Sequence, residues 1–225
     1  MSGIVLPMLL ISEKKRIKIT NTSVIIFKYM DKVEIIFINI ADINDDYSNL
    51  SFLRDEDYEF LKKYKPLETR KEHAASLYLK RKYVGNFYLN EFGKPLSKDV
   101  CFNISHSNGL VMMAISKHLV GIDIEPIRDV EDKLKKFISS EEEYLYMKDN
   151  KSFFEIWTAK EGLVKAYGNG IYQDIKNIPA LPINGRKTYF CKEFYAKTIE
   201  FNNYILNVTL NTEQEFILEF KEERI

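Results

Sequence analysis

The 225-residue sequence has no long apolar run, few glycines and only two cysteines. The longest apolar stretch near the start, Ile4 to Ile11, is interrupted by Pro7 and followed by Glu13, Lys14, Lys15 and Arg16. It is too short to cross a bilayer and carries its charges on the wrong side for a secretory signal. It reads as a strand, and the chain reads as cytoplasmic with no membrane partner. Cys101 and Cys191 are too few and too far apart for a disulfide framework or a thiolate metal site. They read as buried thiols in a reducing compartment. Basic and acidic residues balance at 33 each, so no net field draws the chain to nucleic acid. With 15 Phe and 14 Tyr, the composition is that of a packed globular protein rather than a disordered one.

What is present reads as strands and helices without a regular βαβ rhythm. Val24–Tyr29 and Val33–Ile40 are rich in Ile, Val and Phe and suggest a hairpin around Met30-Asp31-Lys32. Asp42–Asn49 is a polar loop, and Ser51 is placed to cap a helix running to about Tyr64. Thr69-Arg70-Lys71-Glu72 has the pattern of a capping box and predicts a helix to about Val84, with Ala74, Leu77 and Tyr78 on one face. Lys62 to Lys82 is locally basic, as a solvated helix face is. Phe92-Gly93-Lys94-Pro95 marks a turn. Val100–Ile104, Leu110–Ser116 and Val120–Glu125 read as strands. Ser139 and Ser140 precede a helix over about 140–148, and another over about 152–167 ends at Gly168 or Gly170. From about Thr188 the chain alternates as antiparallel strands. This order predicts an α+β protein with antiparallel sheets and packed helices.

Three stretches carry chemistry. In Gly121-Ile122-Asp123-Ile124-Glu125, strand alternation sends Ile122 and Ile124 to one face and both carboxylates to the other. Paired carboxylates repel unless a cation lies between them, and a hard divalent ion is the economical one; a solvated acidic strand edge is the plainer alternative. In Trp157-Thr158-Ala159-Lys160-Glu161-Gly162-Leu163-Val164-Lys165, residues 157, 161 and 165 recur every fourth position along one helix side. Glu161 and Lys165 make either an ordinary surface pair or, beside the only Trp, part of a site with Asp123 and Glu125. In Phe102-Asn103-Ile104-Ser105-His106-Ser107, a histidine leaves a strand in a turn rich in donors, which suits a phosphate or a bare loop.

In this order, and with Gly93-Lys94-Pro95 ahead and Gly168 and Gly170 behind, these stretches resemble the 4′-phosphopantetheinyl transferase superfamily. The resemblance is to the type that activates surfactin synthetase, and it covers roughly residues 33–185. It implies a pseudo-twofold fold of two similar halves, residues 1–118 and 119–225, with 1–32 an extension of unassigned role. It implies a monomer with coenzyme A bound between the halves. Asp123, Glu125 and Glu161 would hold magnesium. Lys94, Ser105, His106, Lys160 and Lys165 would contact the nucleotide and its phosphates, and Arg70 or Lys71 the 3′-phosphate.

The implied activity is that of a holo-[acyl-carrier-protein] synthase. A serine of an apo acyl or peptidyl carrier protein attacks the β-phosphate of coenzyme A, and 3′,5′-ADP leaves. Glu161, His106 and Lys165 are the expected catalytic residues, with Glu161 the base and Lys165 the acid. A different magnesium-dependent phosphotransferase would use the same carboxylates, but the sequence has no Gly-x-x-x-x-Gly-Lys-Ser/Thr loop. A binding module without catalysis would not need all three carboxylates and both helix lysines.

Overall fold

A computed structural model describes residues 30–170 and 174–225 of the chain. The expected strand over 4–11 and the hairpin arm over 24–29 lie outside the described residues. The elements run β1 (Asp31–Asn39), α1 (Asp55–Leu61), α2 (Leu67–Leu79), β2 (Tyr88–Leu89), β3 (Pro95–Leu96), β4 (Cys101–Ser107), β5 (Leu110–Ser116) and β6 (Val120–Pro126). They continue with α3 (Asp132–Ile138), α4 (Glu141–Tyr146), α5 (Asn150–Tyr167), β7 (Gly185–Tyr189), β8 (Lys192–Phe201), β9 (Tyr204–Leu210) and β10 (Phe216–Glu222). The protein is α+β, as its sequence predicts. Among the described residues no helix is long and apolar enough to cross a membrane.

Two four-stranded sheets dominate, ordered β10-β1-β5-β4 and β6-β9-β8-β7. In each, a leading strand (β1 or β6) is followed by helices and then by a hairpin, β4–β5 or β8–β9. The second hairpin strand returns to pair antiparallel with the leading one. β1-β5-β4 and β6-β9-β8 therefore share one topology. β10 departs from the expected antiparallel pattern: it pairs parallel with β1, bringing the C-terminal strand back to the first sheet.

The alternation read from the sequence holds. Ile122 and Ile124 are fully buried with Val33, Ile35, Met112, Leu206, Val208 and Phe216 in a core formed by strands of both sheets. A second core packs Ile36, Ile38, Val111 and Met113 against Ala74, Leu77 and Tyr78 of α2. Helix α4 starts as expected, with Ser140 and Glu143 forming a capping box. Helix α5 is capped by Asp149 and stops at Gly168, whose φ of 97° suits glycine and whose N–H bonds Val164 O.

Several boundaries differ. Helix α1 begins at Asp55, with the Asp57 carboxylate accepting from Arg54 N, and Ser51 lies outside it. Helix α2 begins two residues before Thr69, behind Pro66, whose missing N–H costs nothing at a helix start. Thr69-x-x-Glu72 is therefore inside the helix and is not its cap. Neither cysteine is buried as expected: Cys101 is half-buried and Cys191 is exposed.

Candidate active site

The site forms where the edge strands β4 and β6 of the two sheets lie side by side. Alternate side chains of β4 bridge to β6. Asn103 Oδ1 accepts from Ile122 N at 3.0 Å, Ser105 Oγ donates to Asp123 Oδ1 at 3.0 Å, and Ser107 Oγ donates to Glu125 Oε2 at 3.0 Å. Strand period 2 sets Ser105 and Ser107 in one row facing Asp123 and Glu125, and His106, which alternates away from that row toward Glu72, lines the same cleft.

Helix α5 covers this seam at short range. A Cβ on Gly121 would lie 2.0 Å from Gly162 O, and one on Gly162 would lie 2.0 Å from Asn207 Oδ1. Glycine at both positions lets the helix approach β6 and β9 closely enough for its side chains to reach the strand. Lys165 Nζ then lies 2.5 Å from Asp123 Oδ1 and 3.2 Å from Ser105 Oγ. Trp157, Glu161 and Lys165 all line the resulting cleft, as their spacing predicts. With Ser105, His106, Asp123 and Glu125, with His73 and Ser76 of α2, and with Lys80 directly after it, they line a cleft of about 440 Å³.

The charges are arranged under strain. Asp123 is buried, which pushes its pKa up against the pull of Lys165, and Glu125 adds repulsion. Glu161 is raised by burial and then by the charges of Asp123 and Glu125. Asp123 Oδ2 is buried with no hydrogen-bond partner. Glu161 makes no hydrogen bond or ion pair among the described residues, whereas Glu125 also pairs with Arg128 at 3.0 Å. Among the described residues no three acidic or imidazole groups form a ready-made cation cluster. The three carboxylates nevertheless share one cleft, repel one another and leave an orphaned oxygen. Such a set fits a hard cation, which would relieve all three conditions.

Four expected phosphate contacts are not brought to this cleft. Lys160 is fully buried on another side of α5, 2.7 Å from Glu143, and donates to the carbonyls of Ile175 and Ile178. One residue along a helix turns the side chain by about 100°, so Lys160 cannot share the face of Glu161. Lys94 donates to the carbonyls of Lys165 and Ala166 at the end of α5, and burial pushes its pKa down to about 8. It lines an adjoining cavity of about 300 Å³ that shares Glu161 and Lys165 with the first. Lys71 pairs with Asp45 at 2.6 Å, and Arg70 Nε is buried without a partner.

The side of the cleft made by α2 went unread in the sequence. His73, Ser76 and Lys80 recur at spacings of three and four, and that periodicity was the available signal. His73 stacks on Tyr64, centroids 3.7 Å apart, and meets the His106 ring edge-on at 5.1 Å. Ser76 Oγ is buried without a hydrogen-bond partner.

Residues 119–209 match the family model of the 4′-phosphopantetheinyl transferase superfamily. Over 98 residues the chain is 44% identical to the 4′-phosphopantetheinyl transferase gsp of Aneurinibacillus migulanus, covering 40% of this chain and 41% of that protein. It is 35% identical over 94 residues to the transferase Sfp of Bacillus subtilis (strain 168), covering 38% and 42%. It is 36% identical over 94 residues to the transferase HetI of Nostoc sp., covering 35% and 40%. In each case the match spans about two fifths of the curated relative's length. Lys94, Ser105 and His106 precede the residues matched by the family model. Residues 119–209, which include Asp123, Glu125, Glu161 and Lys165, are thus similar to the 4′-phosphopantetheinyl transferase superfamily.

Proposed function

We propose that this chain transfers 4′-phosphopantetheine from coenzyme A to a serine of an apo acyl or peptidyl carrier protein, as a cytoplasmic monomer, and releases 3′,5′-ADP. The observation that carries this reading is the convergence of Asp123, Glu125, Glu161, Lys165, Ser105 and His106 on one open cleft. The similarity to 4′-phosphopantetheinyl transferases supports it. On this reading residues 1–118 and 119–225 are the two halves flanking the cleft.

Asp123, Glu125 and Glu161 would hold magnesium, the orphaned Asp123 Oδ2 being the first oxygen to offer. When bound, the ion withdraws charge from the diphosphate that nucleophiles otherwise avoid. His106 and Lys165 bind anionic oxygens of the same diphosphate and keep it aligned. The serine oxygen forms a bond to the β-phosphorus, and the bond from that phosphorus to the bridging oxygen breaks. The electron pair leaves with 3′,5′-ADP. Glu161 takes the serine proton through a water. It suits this role because, unlike Asp123 and Glu125, it has no hydrogen bond or ion pair among the described residues to give up. Lys165 faces the oxygen that gains charge and supplies its proton.

The test is intact-mass spectrometry of apo carrier proteins incubated with the chain, coenzyme A and magnesium, beside Glu161→Gln. The expected result is a gain of about 340 Da, one phosphopantetheine unit, with the wild type and none with the variant. No gain on fatty-acid, polyketide or peptide carriers, from protein that still binds coenzyme A, would sink the reading.

A further inference from the structure

Glu72 lies on α2 and is nearly covered, its side chain 13% exposed. Both of its oxygens are engaged. Oε1 accepts from Gly109 N at 2.8 Å, and Oε2 lies 3.1 Å from His106 Nδ1. Gly109 belongs to the Asn108-Gly109 turn between β4 and β5, with φ values of 47° and 87° at the two residues. One carboxylate thus holds both the histidine ring and the turn that follows it.

We propose that Glu72 is the positioning residue for His106, fixing the imidazole with its hydrogen on Nδ1 and turning Nε2 into the cleft toward a phosphate oxygen. The proposal rests on the reading of the cleft as a diphosphate site. An ionised carboxylate can only accept, so Nδ1 must donate to it. Burial pushes the Glu72 pKa up, but the bonds from His106 and Gly109 outweigh it and the net shift is downward, so the group stays ionised. A carboxylate on Nδ1–H fixes the tautomer and the ring orientation, as in histidines oriented by a buried acid. Among the described residues Nε2 has no hydrogen bond of its own. Burial, and then the neighbouring His106, push down the pKa of the other imidazole at hand, His73.

Glu72→Gln separates this role from a structural one. The glutamine oxygen still accepts from Gly109 N, so the turn keeps its tie. Its amide donates toward Nδ1, which requires a lone pair there and moves the ring hydrogen to Nε2. The measurements are nitrogen-15 NMR of His106 in its neutral form, kinetics with coenzyme A and a carrier, and a thermal melt. The expected result is Nδ1–H in the wild type and Nε2–H in the variant. With the melt intact, KM for coenzyme A should rise about tenfold while kcat stays within about threefold. An unchanged tautomer, or an unchanged KM in folded variant, would overturn the proposal. If the wild type modifies no carrier, the transferase reading falls by itself, and the tautomer together with calorimetric affinity for coenzyme A still decides the role of Glu72.

Discussion

Lys165 Nζ lies 2.5 Å from Asp123 Oδ1, so one amine joins α5 to the strand that carries two of the three cleft carboxylates. Lys165→Met would leave Asp123 buried with only Ser105 as a partner. The expected cost is about 1–3 kcal/mol, below that of a closed interior because Lys165 is 29% exposed. Adding Asp123→Asn should recover most of that loss, since the uncompensated charge is gone. Urea unfolding of the two single variants and the double variant measures the coupling. Transfer to a carrier should fall about 100-fold in Lys165→Met and stay low in the double variant.

Much of this site was legible because it rests on local periods. The alternation in Ile122-Asp123-Ile124-Glu125 fixes which face is core, and the fourfold recurrence of Trp157, Glu161 and Lys165 fixes one helix side. Gly168 marks the end of α5. Other features are set by partners distant in sequence and leave no local trace. β10 pairs with β1 in parallel across most of the chain. Glu72 looked like the end of a capping box, but Pro66 starts the helix earlier and leaves its carboxylate for His106 and Gly109. Lys94 sits in the expected turn, but the carbonyls at the end of α5 claim its amine.

Close approach of α5 to β6 depends on two missing side chains. Gly121→Ala would force a methyl against the backbone of Gly162 and Ala166, which cannot move aside as a flexible side chain can. The expected loss is about 1–3 kcal/mol or more in urea unfolding. The folded fraction should also lose activity, because Lys165 and Glu161 are carried outward with the helix. An alanine variant with wild-type stability would contradict this packing.

Lys187 is buried and donates to the carbonyls of Ala180 and Pro182. Burial pushes its pKa from 10.5 down to about 7. Below the folded value both states are protonated, and above the ordinary value both are neutral. Between them the unfolded chain binds more protons, so this residue makes stability rise with pH from about 7 to about 10.5. Lys187→Met removes that group from both states. The urea midpoint of the variant should therefore gain less than the wild type's as pH is raised through this window. Parallel curves would mean that Lys187 is charged in the folded protein.

Lys160 and Glu161 are neighbours in sequence with opposite fates, and their variants should fail differently. Lys160 and Glu143 form an ion pair of 2.7 Å with side chains 0% and 5% exposed, and Lys160 also serves two backbone carbonyls. Lys160→Met would strand a buried carboxylate and both carbonyls, at a cost of about 3–5 kcal/mol. Coenzyme A affinity of the folded fraction should stay within about threefold of the wild type. Glu161→Gln should do the reverse, abolishing transfer while leaving the thermal midpoint nearly unchanged. Calorimetry with coenzyme A and a thermal melt on the two variants separate the cases. A large loss of coenzyme A affinity in stably folded Lys160→Met would return this lysine to the phosphate site.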